Sequence, residues 1–96
     1  MYRIVVSGPL EKETLTVDDH GFNYNKSAMF GLGNQHRHAF AEIDAIVRSS
    51  ANPALPMLSI QVGKKIYTIR YKANDAKHCA LVDHLVRRTA QTKEAR

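Results

Sequence analysis

The chain has 96 residues, an apolar fraction of 44% and a net charge of +5. This length suits one domain, and this apolar content excludes an intrinsically disordered chain. A single cysteine, Cys79, excludes a disulfide within the chain, and no apolar run approaches the roughly 18 residues that a membrane-spanning helix needs. Because the apolar run at residues 1–7 is also too short for a signal peptide, we expect a cytoplasmic protein.

The charge is distributed unevenly along the chain. Residues 1–48 carry five Lys/Arg and six Asp/Glu, a balance of −1, whereas residues 49–96 carry nine and three, a balance of +6. Such asymmetry favours an anionic partner, which could be a nucleic acid, an acidic membrane surface or an acidic protein.

Alternating apolar and β-branched residues predict five strands in the first half of the chain. These strands cover residues 2–7, 13–17, 22–25, 36–41 and 44–49. In the turn at 18–21, Asp18 is expected to bond its own backbone and Gly21 to adopt a left-handed conformation. Residues 26–35 show no periodicity and are predicted to form a loop, while the spacing at 41–43 fits a strand or a helical turn equally well.

The strongest pattern is a β-hairpin that leads into a helix. Gly63 suits the first central position of a two-residue turn, which requires a positive φ. That turn sets a register in which Val62 faces Lys65 and Ile60 faces Tyr67. One face of the hairpin then carries the residues expected in the core: Leu58, Ile60, Val62, Tyr67, Ile69 and Tyr71.

A C-terminal amphipathic helix is predicted directly after the hairpin. Asn74 suits the N-cap, and Asp75 suits the positive end of the helix dipole. The apolar stripe of the helix comprises Cys79, Val82, Leu85, Val86 and Ala90, with Leu81 on its flank. The domain is predicted to cover residues 1–91, followed by a polar tail at 92–96.

Seven short strands in up-and-down order, followed by one amphipathic helix, resemble the pleckstrin-homology-like (PH-like) fold, particularly the short bacterial PH-like domains. The resemblance covers nearly the whole chain and is carried by residues 15–22, 40–46 and 58–71 and the final helix. It implies a mainly β fold with one α-helix: a seven-stranded antiparallel barrel or sandwich capped by the C-terminal amphipathic helix. PH-like domains serve in lipid binding, peptide binding and oligomerisation, so the fold alone assigns no function.

In a PH-like arrangement, the turns after strands one, three and six gather at the open end of the barrel. This implies a binding surface of lysines around an apolar loop tip, formed by Lys12, Lys26, Lys64 and Lys65 with Met29, Phe30 and Leu32. Such a surface suits an anionic bilayer or an apolar groove on a protein partner. Alternatively, the apolar loop residues fold back and fill the barrel end. The first hairpin turn departs from phosphoinositide-binding PH domains, because its single Lys12 lies between Glu11 and Glu13.

The other chemical patterns have ordinary structural explanations. His36 and His38 share the spacing of some metal ligands, but no further ligand is placed beside them, so we expect surface histidines and no metal. Cys79 lies on the apolar helix face, which predicts an inert core thiol. No acid or histidine pair has a catalytic spacing, so we expect neither an enzyme nor a cofactor.

The sequence therefore favours a non-enzymatic PH-like interaction module that acts through protein–protein contact or self-association. Ile66 and Ile46 are predicted to face outward and to contribute to that contact. The alternative is peripheral binding to anionic membrane lipids through the basic open end. Nucleic-acid binding is not expected, because Tyr67 and Tyr71 face the core and cannot stack on bases.

Overall fold

The computed structural model describes residues 1–28 and 33–94 of the chain. Within them, seven antiparallel strands form two sheets, and one helix follows. The first sheet contains β1 (Tyr2–Ser7), β2 (Glu11–Val17), β3 (Gly21–Ala28) and β4 (Asn34–Ala39). A 3-10 turn over Phe40–Glu42 leads to the second sheet, which contains β5 (Ala45–Ser49), β6 (Met57–Val62) and β7 (Lys65–Arg70). The final element is α1 (Ala76–Glu94), and each sheet keeps its strands in chain order.

The mainly β prediction is therefore confirmed, although several element boundaries differ. β2 and β3 are longer than predicted, because their antiparallel ladder continues to the pair Glu11 and Ala28. The ladder between β3 and β4 likewise reaches Lys26 and Asn34, so much of the predicted loop is strand. Ladder hydrogen bonds join backbone groups, and they extend through polar residues that show no apolar alternation.

The β6–β7 hairpin follows the prediction closely. Gly63 has a φ of +60°, and Val62 pairs with Lys65, as the turn chemistry requires. The predicted inner face points into the core, where Leu58, Ile60, Tyr67, Ile69 and Tyr71 are all buried.

One core joins the two sheets and the helix. Its fully buried side chains come from both sheets, from the 3-10 turn region and from α1; they include Ile4, Leu15, Phe22, Ile43, Ile60, Leu81 and Leu85. The helix packs mainly on β1 and on the 3-10 turn. Because each sheet has one apolar face, each buries that face against the other sheet and the helix.

The start of the helix corrects the predicted cap. Asp75, not Asn74, is the N-cap residue, because its Oδ1 accepts the backbone N–H groups of Lys77 at 2.9 Å and His78 at 3.3 Å. These two bonds satisfy donors that have no partner within the helix. The bond from the His78 N–H is the largest cause that lowers the pKa of Asp75, followed by the bond from Lys77 and the charges of His78 and Lys72.

The buried stripe of the helix is also rotated from the prediction. Leu81, Val82, Leu85 and Thr89 are buried, whereas Ala90 is exposed. Cys79 is only partly buried, and its thiol points back to the Ala73 carbonyl at 3.3 Å, so the predicted core thiol is wrong. The helix continues to Glu94, past the predicted start of the tail at residue 92, where Lys93 Nζ donates to the Asp44 carbonyl at 2.9 Å.

Gly21 is required for a different reason from the one predicted. Among the described glycines, only Gly63 has a positive φ, so the left-handed conformation predicted for Gly21 is wrong. A Cβ at Gly21 would overlap the His38 carbonyl oxygen and would lie 2.8 Å from the Ala39 Cα. The glycine therefore allows the start of β3 to approach the end of β4.

We expect Gly21→Ala to lower the free energy of unfolding by about 2 kcal/mol or more, because two backbone segments would have to separate. Gly8→Ala is the matched control, since a Cβ there would meet only the Glu11 carbonyl oxygen at an ordinary 3.5 Å. Urea denaturation of both variants measures the difference. Equal stability of the two variants would show that the close approach at Gly21 is absent.

Asp75→Ala should lower Tm by about 4–8 °C, because two N-terminal N–H groups lose their acceptor. The folded protein holds the pKa of Asp75 below its ordinary value of 3.8, so this stabilisation is present above pH 3.8 and is lost as the carboxylate is protonated at lower pH. Asn74→Ala is the control and should leave Tm nearly unchanged. Thermal melts between pH 2 and 7 measure both variants. A larger loss of Tm in Asn74→Ala than in Asp75→Ala would contradict Asp75 as the N-cap residue.

Candidate functional site

The outer face of the second sheet is the candidate functional site. Antiparallel pairing arranges its side chains in three rows across β5, β6 and β7. These rows are Ala45–Gln61–Ile66, Val47–Ser59–Thr68 and Ser49–Met57–Arg70. We call these nine residues the outer face.

Two large apolar side chains are exposed on the outer face. Val47 is 58% exposed and Ile66 is 64% exposed, and they lie on the two edge strands with β6 between them. Ser59 on β6 pairs with Val47 on one side and with Thr68 on the other, and the hydroxyl oxygens of Ser59 and Thr68 are 3.5 Å apart. A sheet surface with few charges and with apolar residues exposed on both edges is a candidate contact surface for another protein.

Arg70 is the single charged member of the outer face, and its guanidinium donates to the Leu55 carbonyl at 3.2 Å. The outer face of the first sheet differs, because strand alternation places Arg3, Lys12 and Arg37 there. In a chain with a net charge of +5, the second sheet therefore has the surface that can approach another basic molecule with least repulsion.

The structure corrects one of the two predicted outward residues. Ile66 is exposed as predicted, but Ile46 pairs with Ile60 and packs against the core. Its neighbour Val47 takes the outward position. The alternation of β5 fits both registers by sequence alone, and only the pairing with β6 distinguishes them.

The predicted basic surface is distributed over both sheets. Lys12 lies on the outer face of β2, whereas Lys26 lies on the inner side of β3, where its Nζ is 3.4 Å from Glu11 Oε2. Lys64 and Lys65 are exposed at the β6–β7 turn. No hydrogen bond or ion pair among the described residues joins the first two lysines to the last two. Met29, Phe30 and Leu32 lie outside the described residues, so their gathering with the lysines stays a prediction.

A partly buried polar cluster joins the two sheets. His38 Nε2 lies 2.9 Å from the Tyr67 hydroxyl, and His38 Nδ1 lies 3.2 Å from Glu42 Oε1. The rings of His36 and His38 both pack on Tyr67, at centroid distances of 5.3 and 5.4 Å. Both histidines are half-buried, so the prediction of surface histidines is wrong.

Glu42, His38 and the Tyr67 hydroxyl form a hydrogen-bonded chain of the kind that can transfer a proton. The electrostatics of this chain do not activate the Tyr67 hydroxyl. Burial, followed by the charge of Glu42, raises the pKa of Tyr67, whereas an activated hydroxyl needs a lowered pKa. The Ala39 backbone N–H, followed by His38, lowers the pKa of Glu42. The arrangement therefore holds the two sheets together and keeps Tyr67 neutral.

Other histidines also have structural partners. The ring of His84 packs on Tyr2 at a centroid distance of 4.8 Å, and its Nε2 lies 3.3 Å from the Asp18 carbonyl oxygen. Residues 1–28 and 33–94 contain no cluster of three or more His, Cys, Asp or Glu that could hold a metal ion. In the same ranges, no helix has the length and apolarity needed to cross a membrane.

Comparisons of the chain with protein-family models, with curated proteins and with solved structures find no match.

Tyr24 allows a direct test of the electrostatics inside the first sheet. Its hydroxyl lies 3.1 Å from Glu13 Oε2, and burial, followed by the charge of Glu13, raises its pKa from 10.0 to about 12. The folded state favours neutral Tyr24, so this contribution to stability is complete below pH 10 and is lost as the pH rises towards 12.

We expect a tyrosinate absorbance titration to show a step near pH 12 that disappears in Tyr24→Phe. Glu13→Gln should lower the pKa of Tyr24 only part of the way towards 10.0, because burial is the largest cause of the shift and remains in the variant. If Tyr24 of the unaltered protein ionised at its ordinary pKa, the buried contact between Tyr24 and Glu13 would be contradicted.

Proposed function

We propose that this chain is a non-enzymatic PH-like interaction module that acts through protein–protein contact, and that its first partner is a second copy of itself. The PH-like assignment is supported by four strands followed by three, each set antiparallel and in chain order, with one C-terminal helix packed on the core. We further propose a cytoplasmic location, in keeping with the unpaired Cys79.

The outer face carries the proposal. Val47 and Ile66 are the exposed apolar side chains that flank its centre, and its charged residue, Arg70, is turned towards Leu55. A two-fold axis would place this face against itself, so the exposed apolar side chains of each copy would be covered by the other copy. Sheets that pack face to face bury such side chains in a layer about 10 Å thick.

Charge explains why a second copy is the partner that fits. Two molecules that each carry a net charge of +5 repel, and the repulsion is smallest where both present uncharged side chains. Contact through the first sheet would instead bring Arg3 and Lys12 of both copies towards each other.

Peripheral binding to an anionic membrane is the second candidate. It is favoured by the exposed pair Lys64 and Lys65 at one turn. We prefer the protein contact, because Lys26 is paired with Glu11 and Lys12 lies on the opposite side of its sheet.

Sedimentation velocity across a concentration series tests the proposal. The unaltered protein should associate reversibly, and Val47→Lys or Ile66→Lys should each weaken association about tenfold or more, because a lysine would be desolvated at the contact. Leu10→Lys is the matched control, since it makes the same change at a residue that is 65% exposed on the β1–β2 turn. A monomer at every concentration, or equal weakening by the control, would remove the second copy as the partner.

A further inference from the structure

The seam between the two sheets is a second candidate surface. β1 and β7 are edge strands, each with a strand neighbour on one side in the described part of the chain. A cavity of 260 Å³ lies between them, bordered by the loop before β6 and the first turn of α1. Its lining includes the apolar or aromatic side chains of Val5, Val6, Leu55 and Tyr71 and the cations Arg70 and Lys72.

Within residues 1–28 and 33–94, β1 presents unpaired backbone groups to this cavity. The Gly8 N–H donates to the Glu11 carbonyl at 2.7 Å, which makes Gly8 and Glu11 a hydrogen-bonded pair at the β1–β2 turn. Residue pairs along an antiparallel ladder are alternately hydrogen-bonded and non-hydrogen-bonded. Counting from Gly8, Ser7 and Val5 therefore lie in non-hydrogen-bonded pairs with β2. Their N–H and C=O groups therefore point away from β2, towards the seam, and can pair with another strand.

The cavity is lined mainly by apolar atoms. Val5 is 42% exposed and Leu55 is 39% exposed at its border, while Val6 and Tyr71 are more deeply placed. An apolar side chain that entered the cavity would remove these surfaces from water, which is favourable in proportion to the area covered.

Two cations flank the apolar cavity without a carboxylate partner. Neither Arg70 nor Lys72 forms an ion pair with an acid in the described residues. Among the described residues, the Arg70 guanidinium bonds only the Leu55 carbonyl oxygen, which leaves most of its donors without a protein partner there. Asp75, which Lys72 influences electrostatically, is engaged by N–H groups of the first helical turn.

We propose that this seam binds an extended peptide segment of a partner protein, in which apolar and acidic side chains alternate. The peptide pairs with the free edge of β1 through the backbone of Val5 and Ser7. One of its apolar side chains enters the cavity, and its carboxylates meet Arg70 and Lys72. Strand addition supplies main-chain hydrogen bonds, and the cavity and the cations supply selectivity.

This inference goes beyond self-association and does not depend on it. The peptide lies along the edge of β1, whereas the second copy covers the outer face of β5, β6 and β7. Arg70 alone borders both surfaces.

The probe that tests the proposal is an acetylated, amidated heptapeptide of alternating Val and Glu. Titrated into ¹⁵N-labelled protein, it should shift the amide resonances of Val5 and Ser7, and these shifts should saturate. A heptapeptide of alternating Val and Gln should bind about tenfold more weakly, because it lacks the carboxylates. Absence of shifts on β1, or equal affinity for the two peptides, would overturn the proposal.

Two kinds of variant locate the site. Arg70→Gln with Lys72→Gln should weaken binding about tenfold or more, whereas Lys64→Gln with Lys65→Gln, which removes the same charge elsewhere, should leave the affinity unchanged. Val5→Pro removes the free N–H of β1 without breaking a bond to β2, so it should weaken binding in a protein that remains folded by circular dichroism. Equal losses in the two double variants, or full affinity in folded Val5→Pro, would each refute the seam as the site.

Discussion

Tyr67 is the residue on which the joining of the two sheets depends. It extends from β7, and its ring packs on Phe22, Tyr24, His36 and His38 of the first sheet at centroid distances of 5.3 to 5.8 Å. Its hydroxyl is satisfied by His38, so burial of the phenol leaves no polar atom without a partner. Because neither sheet has a second layer of its own, loss of this packing would expose the apolar faces of both.

Because the inner faces of both sheets form the core, the functional surfaces must lie outside it. The inner face of each sheet, the 3-10 turn and the buried stripe of α1 are all engaged in packing. Among the exposed apolar residues, Val47 and Ile66 lie on the outer face, and Val5 and Leu55 lie at the seam. The outer face has a single charged residue, Arg70, and fits a second basic copy, while the seam has Arg70 and Lys72 without carboxylate partners in the described residues and fits an acidic peptide.

The sequence predicts the features whose cause is local. Gly63 specifies its turn, the turn specifies the register of β6 and β7, and the register separates buried from exposed side chains. Choices between adjacent residues of similar chemistry were not predictable. Asn74 and Asp75 both suit an N-cap, and Ile46 and Val47 both suit the core.

Features that depend on distant segments were also missed. The need for a glycine at position 21 comes from the backbone of β4, and the partner of His38 is a tyrosine from the other sheet. The free edge of β1 at the seam follows from the arrangement of the two sheets, which no local pattern in residues 2–7 indicates. The candidate surfaces were therefore only partly visible in the sequence, through the exposed position of Ile66.

The most direct test of the central claim is the backbone NMR spectrum of the protein over a range of its own concentration. Our account predicts that the resonances that shift with concentration belong to Val47, Ser59, Ile66 and Thr68 and their neighbours on the outer face, while those of β2 and β3 stay fixed. Shifts confined to the first sheet, or a spectrum that does not change with concentration, would contradict it.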